Sequence, residues 1–378
     1  MLTSLRAVLG NTVYFAQSVN EIRFHEAFRV FRHTHALQYR SHGDDIGPPN
    51  LISVVDFIRA LDKELADHPN AKIVLCIDAG KCTLTNAVFL LGAYMILKLR
   101  MLPVKVAKHF SWLTPDQLAP CNASFLKPDF ALLLIDCWRG LARGLEHGWV
   151  RYASAGYMWG AIDVDEYRHY EDPANGDVHQ LIPGELIALP SPEDLAGADF
   201  HDHPDGRRAF SLSPAYVADT LRDMGAATLV RLGAKQYDAG AMAARGIRVV
   251  DIACPDDGRP PDAAVAAFIR AVNGSRGAVA VHCATGRGAT GALAALQLMR
   301  SHGFTAREAM GWLRIVRPGS VVGEQQRFLC DVGAALARLR SRGGGGGAAA
   351  GYDEAREARR GLEAVEEDDS DDGRAAVI

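Results

Sequence analysis

At 378 residues and 48% hydrophobic content, the chain is too apolar to be disordered throughout and long enough for two domains. Its mean hydropathy of −0.02 and charged fraction of 23% are those of a soluble globular protein. A net charge of −4, from 41 bases against 45 acids, argues against a nucleic-acid binder.

That charge is unevenly spread. From Ser341 to Ile378 ten acids face five bases, so this stretch carries −5 and residues 1–340 carry +1. Seven cysteines, at 76, 82, 121, 137, 254, 283 and 330, form no C-x-x-C pair. Their odd number and wide spacing point to a reducing compartment with mostly buried thiols, and argue against a structural zinc site. The N-terminal MLTSLRAVLGNTVYFAQ has no sustained apolar core, which argues against a signal peptide. The longest apolar run, Ala87 to Leu97, is too short to span a bilayer and meets Lys98 and Arg100 at once.

In chain order, residues 1–150 read as mixed α/β. Lys72-Ile-Val-Leu-Cys-Ile77 is a buried-strand pattern, followed by a polar loop from Asp78 to Thr83. A helix is expected from about Thr85 to Leu99, apolar nearly all round and therefore central. Residues 151–184, rich in Gly, Pro, Tyr and acids, read as a linker or surface segment between domains. Residues 185–340 resume the α/β pattern, with strands expected at Glu185–Leu189, Ala227–Leu232, Ile247–Ile252 and Ala278–His282. Helices alternate with them. Ser213-Pro214 starts one that Gly225 stops, Asp262 is a cap for another running to about Val272, and Thr305 with Glu308 forms a capping box. The last helix carries Met310, Leu313 and Ile315 on its apolar face. The alternation implies a largely parallel, helix-covered sheet. Residues 341–378, with Gly343–Gly347 and an acidic run, read as a disordered tail in which Ser370 sits in a kinase-target setting.

Two strand–loop–helix stretches resemble each other, IVLCIDAGKCTLTNAVFLLGAYMIL and VAVHCATGRGATGALAALQLM. Coincidence and duplication are equally compatible with that likeness. The second carries the chemistry. Gly286, Gly288 and Gly291 spell G-x-G-x-x-G, as in a dinucleotide site. Such a site needs a further strand ending in an acid about 20 residues on. Here the capped helix at Thr305 follows instead, so an NAD(P)-dependent oxidoreductase is the weaker reading.

The other reading is an anion cradle around a thiolate. A cysteine at a strand end, below a helix N-terminus, sits in a field of backbone N–H groups and a positive dipole end that stabilises thiolate. The same N–H groups suit the oxygens of a phosphate. Cys283 would attack phosphorus, Thr290 would hydrogen-bond the departing sulfur, and an Asp on a nearby loop would protonate the leaving oxygen and then activate water.

This segment resembles the H-C-x5-R-S/T signature of the cysteine-dependent protein phosphatases. TAREAMGWLRIVRPGSVVGEQQRFL, from Thr305, closely resembles the end of the catalytic domain in the cell-division-cycle-fourteen family of dual-specificity phosphatases. Ile162 to Glu171, Asn175-Gly-Asp177, Pro183-Gly184, Asn86 to Leu97 and Ile135 to Gly148 are similar to that family too, over about residues 12–335 in all. The resemblance implies two tandem phosphatase-like α/β domains, each a central mixed or parallel sheet covered by helices, of which only the second is catalytic. It favours duplication as the origin of the repeat.

Carried over, the resemblance makes Cys283 the nucleophile, His282 the residue that orients the loop, and Asp256 the general acid, beside the confusable Asp257. Gln325 and Gln326 match the glutamines that position the hydrolytic water. Ala284, Thr285, Gly286, Arg287, Gly288 and Ala289 form the phosphate loop. The implied substrates are phosphoproteins, including phosphoserine-proline sites of proline-directed kinases, in cytoplasm or nucleus. No cofactor, metal, nucleic acid or membrane is implied.

Two departures stand out. Position 289, where the family has arginine, is Ala289, and its loss implies a pseudophosphatase. An arginine serving phosphoryl transfer is worth about 10³–10⁵ in rate. Arg287 lies two residues earlier, and a solvent-facing charge is expected there. The alternative is an active enzyme in which Arg287 compensates. In the segment that accepts basic substrate residues in the family, Glu171 and Asp177 match, whereas Arg168 stands where an acid is usual.

Overall fold

The computed structural model describes residues 5–17, 27–33, 47–119, 130–152, 158–202, 210–256 and 258–342. Ser341 and Arg342, expected to open the disordered tail, instead end the last helix; the tail from 343 on, Ser370, Cys121 and Asp257 lie outside the described residues.

The first half is built on a four-stranded sheet of β1 (Arg6–Leu9), β2 (Val13–Gln17), β3 (Phe28–Phe31) and β4 (Lys72–Ile77), in the order β1-β2-β4-β3. β1 runs antiparallel to β2, while β2 and β3 flank β4 in parallel, with Phe15 and Phe31 both opposite Leu75. Helix α1 (Leu51–Asp67) buries Leu51, Val54, Val55, Ile58 and Leu61, a 3.6-residue stripe, and is capped by Asn50 Oδ1 accepting from Ser53 N at 3.0 Å. Helix α2 (Lys81–Leu97) is buried at every position from Leu84 onward, as its all-round apolarity required. It starts earlier than the sequence suggests, directly after Gly80, so the polar loop is shorter than expected. The short α3 (Pro103–His109) and α4 (Leu134–Glu146) complete this half.

The segment read as a linker is structured where described. It holds a two-stranded ribbon, β5 (Arg151–Tyr152) with β6 (Met158–Trp159), then α5 (Val164–Glu171) capped by Asp163, then β7 (His179–Ile182). β7 joins the second sheet by pairing antiparallel with β8 (Leu186–Ala188). A ribbon of β9 (Phe200–Asp202) and β10 (Phe210–Leu212) precedes α6 (Pro214–Asp223), which has the expected Ser213 cap and Gly225 stop, the latter at φ +78°. There follow β11 (Ala226–Leu232), α7 (Gly240–Ala243), β12 (Arg248–Ile252), α8 (Asp262–Asn273), β13 (Ala278–His282), α9 (Gly288–Ser301), α10 (Ala306–Val316) and α11 (Gln325–Arg342). Asp262 is the first residue of α8, and Pro261 occupies the cap. The capping box at Thr305 and Glu308 forms in both directions, at 2.8 and 3.3 Å.

The second sheet has the order β12-β11-β13-β8-β7, parallel apart from β7. β13 is fully buried, as β4 is but for its first residue, and each lies between two parallel neighbours. Each ends in a loop and an apolar helix, so the two similar sequence stretches occupy equivalent places. The halves meet where α4 crosses α10. A Cβ on Gly140 would lie 2.5 Å from Glu308 O, and one on Gly311 2.5 Å from Asp136 O, so these glycines let the backbones touch. Among the described residues, no helix is long and apolar enough to cross a membrane.

Candidate active site

β13 is interior to the sheet, and its C-terminal end delivers Cys283 into a buried position, 2% exposed, beneath the start of α9. The first turn of α9 has no side-chain cap from Arg287, which leaves its backbone N–H groups directed at the loop.

The three glycines of the G-x-G-x-x-G pattern are each explained by close packing. Gly286 has φ +68°, and a Cβ there would run into Leu189 O. A Cβ on Gly288 would lie 2.8 Å from Asp256 O, and one on Gly291 2.9 Å from Val321 N. They admit the loop carrying Asp256 and the segment after α10 to the cradle. After α9 only helices follow among the described residues, so the strand a dinucleotide site requires does not follow. The oxidoreductase reading therefore has no structural basis.

His282 is 3% exposed, with Nε2 2.8 Å from Tyr237 Oη and Nδ1 3.3 Å from Cys283 O. Burial raises the Tyr237 hydroxyl's pKa, so it stays protonated as a donor to the ring. The Tyr237 carbonyl accepts from Arg231 Nη1 at 2.6 Å, and Arg231 is paired with Asp251 at 2.7 Å. Cys254, in the core beside this site, has its thiol pushed up to about 11, chiefly by burial and then by Cys283 and Asp256.

Asp256 comes over the cradle from the loop after β12. Its carbonyl accepts from Gln325 Nε2 at 3.1 Å, while its Oδ1 is buried without a hydrogen-bond partner. Thr290, fully buried in the first turn of α9, has an Oγ1 that is likewise unpartnered. Two buried polar atoms, one on the Asp256 loop and one in the first turn of α9, are thus left without partners, a costly arrangement that functional sites tolerate. Gln325 Oε1 accepts from Val322 N at 3.2 Å, so that side chain ties the Asp256 loop to the start of α11. Gln326 instead accepts from Arg314 Nη2 at 2.9 Å and donates to Gly323 O at 3.2 Å.

Ala289 is fully buried. Arg287 is not solvent-facing as expected. Its side chain is 15% exposed and pairs with Asp177 at 2.9 Å, and it donates to Pro318 O at 3.0 Å and Thr285 O at 3.1 Å. Asp177, at φ +50° and 8% exposed, also binds Arg317. It is therefore engaged by two arginines and does not stand open in a groove. Sequence reasoning passed over Arg317. It is fully buried and donates to Gly286 O at 2.7 Å, Thr285 O at 3.1 Å and Asp177 O at 2.6 Å. Burial lowers it to about 10, which leaves it cationic at neutral pH. His179, held to about 3 by burial and then by Arg317, is neutral and accepts from Arg317 Nη1 at 2.6 Å.

The remaining groove residues sit against the first half of the chain. Glu171 Oε2 accepts from Asn50 Nδ2 at 2.7 Å, and burial pushes its carboxyl up to about 7. Arg168, the departure noted in the acidic segment, pairs with Asp56 of α1 at 2.7 Å.

A buried cysteine between a parallel strand and an uncapped helix start, with an Asp-bearing loop folded over it, defines the cysteine-dependent phosphatase class. Residues 7–144 match the family model described as dual specificity protein phosphatase, N-terminal half, and residues 214–330 match the one described as Swiss Army Knife protein, DSP-PTPase phosphatase domain. Human dual specificity protein phosphatase CDC14A is 32% identical over 336 residues, 87% of this chain and 53% of that protein. The Caenorhabditis elegans tyrosine-protein phosphatase cdc-14 is 31% identical, over 87% of this chain and 46% of its own length. A solved structure of a putative protein tyrosine phosphatase from Leishmania major aligns at 22% identity and a TM-score of 0.31, over 38% of this chain and 85% of that one. The chain belongs to the CDC14 family of dual-specificity protein phosphatases. It spans about half the length of the relatives it matches.

Proposed function

We propose that this chain binds phosphoproteins through a CDC14-type cradle, residues 283–288, and hydrolyses them much more slowly than an arginine-bearing cradle would. The observation that carries this reading is that position 289 is a fully buried alanine while Arg287 is held by Asp177, so neither position offers the phosphate a guanidinium fork. The backbone N–H groups remain, and they suffice for anion binding. The proposed roles are Cys283 as nucleophile, His282 as the residue fixing the loop, Thr290 as donor to the departing sulfur, Asp256 as acid and then base, and Gln325 as the water-positioning group through its tie to the Asp256 loop. The Cys283 sulfur forms the S–P bond as the P–O bond to the substrate breaks, Asp256 gives its proton to the leaving oxygen, and water then cleaves the phosphocysteine. Residues 1–150 are proposed as the non-catalytic domain and 185–340 as the catalytic-type one, with substrates met in cytoplasm or nucleus.

The test is hydrolysis of p-nitrophenyl phosphate by wild type, Cys283→Ser and Ala289→Arg, each checked for an unchanged melting profile. Ala289→Arg is expected to raise kcat/KM by about 10³-fold or more, and Cys283→Ser to abolish it. Wild-type turnover equal to that of Ala289→Arg, and lost in Cys283→Ser, would overturn the reading. The competing reading, an active enzyme using Arg287, requires activity that falls in Arg287→Ala. The ion pair to Asp177 speaks against it.

A further inference from the structure

The geometry points to Arg317 as a positioning residue that, from behind the phosphate loop, turns the Gly286 and Arg287 N–H groups toward the bound anion and lends the cradle the positive charge that position 289 lacks. This rests on the anion-binding reading above and deepens it.

The orientation follows from the planarity of the peptide unit. In a trans peptide the carbonyl of one residue and the N–H of the next point in opposite directions. Arg317 Nη2 draws the Thr285 carbonyl at 3.1 Å and Nε draws the Gly286 carbonyl at 2.7 Å. The N–H groups of Gly286 and Arg287 must therefore point away from Arg317, into the hollow of the loop. Both carbonyls would otherwise be free to rotate inward, where their negative ends repel an anion. Gly286 makes such rotation cheap, because a glycine at φ +68° has no side chain to resist it. A lysine cannot replace the guanidinium here, since one ammonium cannot hold both carbonyls and Asp177 in a single plane.

The charge follows from the cluster's composition. Arg317 and Arg287 are cations, Asp177 is the anion between them, and His179 is neutral. Glu171 faces Asp177 from α5, and Arg317 senses Cys283 at the base of the loop. The group of four carries a net +1; Arg317 and His179 are buried and Asp177 and Arg287 are mostly so, and its field is screened less than that of a surface charge. Asp177 sets that value. It neutralises one of two arginines and holds Arg287 off the cradle.

The two halves of the argument give substitutions of opposite sign. Arg317→Lys keeps the charge and loses the two-carbonyl grip. Asp177→Asn keeps the shape, and asparagine tolerates the left-handed backbone at φ +50°, but the net charge rises to +2. The experiment is calorimetric titration of the full chain with tungstate, a phosphate-shaped dianion, for wild type and both variants, with thermal melts alongside. Arg317→Lys is expected to weaken tungstate binding about tenfold, and Asp177→Asn to strengthen it by roughly threefold to tenfold. A general loosening of the loop would weaken both. Unchanged affinity in a folded Arg317→Lys, or weaker binding in Asp177→Asn, overturns the inference. If Arg317→Lys fails to fold, Asp177→Asn decides by itself. Wild type that binds no tungstate at millimolar concentration overturns the anion-site reading, and this inference with it, whereas tungstate binding without the expected shifts overturns the role of Arg317 alone.

Discussion

The junction of the two halves makes a sharp test of packing. Gly311 in α10 lies on α4, where an added Cβ would stand 2.5 Å from Asp136 O and 2.8 Å from both Asp136 C and Cys137 Cα. Ordinary contact begins at 3.4 Å, so Gly311→Ala demands an opening of about 0.9 Å between two backbones, neither of which can rotate away. Overpacking of that kind costs about 1–3 kcal/mol, and parting the crossing also loses dispersion contacts along it. The helical preference of alanine over glycine returns about 1 kcal/mol. The net expectation is a loss of about 1–2 kcal/mol. Gly333→Ala in α11 is the matched control. There the Cβ would meet Ala306 Cβ at 3.4 Å and Met299 Cε at 3.5 Å, so only the helical gain of about 0.5–1 kcal/mol should appear. Urea denaturation followed by tryptophan fluorescence, with Trp312 and Trp149 at the junction, reads both. Equal effects of the two substitutions, or a stabilising Gly311→Ala, would refute the claim that backbone contact fixes this crossing.

Glu171→Gln should stabilise the protein at pH 8 and leave it unchanged at pH 4.5. The folded carboxyl is raised from 4.5 to about 7, so its contribution is fully present below about pH 4.5 and is lost as pH rises through about 7. That loss is about 2–3 kcal/mol after solvent screening, and a gain independent of pH in thermal melts would contradict it. Tyr237→Phe should cost about 1 kcal/mol in urea denaturation, because it removes the hydroxyl 2.8 Å from His282 Nε2. An unchanged midpoint would mean that this hydroxyl does not hold the ring.

Several features were legible in order along the chain. The Ser213-Pro214 start, the Thr305–Glu308 capping box and the strand Ala278–His282 are local devices, each set by residues within a few positions of one another. Helix α2 was legible as central, since only a helix buried on all sides is apolar all round, but its start was misjudged because Lys81 to Thr83 are polar and still helical. Arg287 was misjudged for a different reason. A charge beside two glycines is ordinarily solvated, and its partner Asp177 lies 110 residues away. Asp177 and Glu171 matched a pattern along the chain, yet their partners, Arg317 and Asn50, come from elements that only folding brings beside them.

The sequence by itself determined the strand–loop–helix cradle, the cysteine at its base and the alanine at position 289, because these depend on backbone rules and on the identity of adjacent residues. Tertiary structure decided what surrounds them. Pairing β7 with β8 brings Asp177 and His179 beside the loop after β13, and the segment after α10 then inserts Arg317 behind it. A buried charge must find its counter-charge and hydrogen bonds from whatever packs against it, so its partners are fixed by the arrangement of elements, not by their order in the chain.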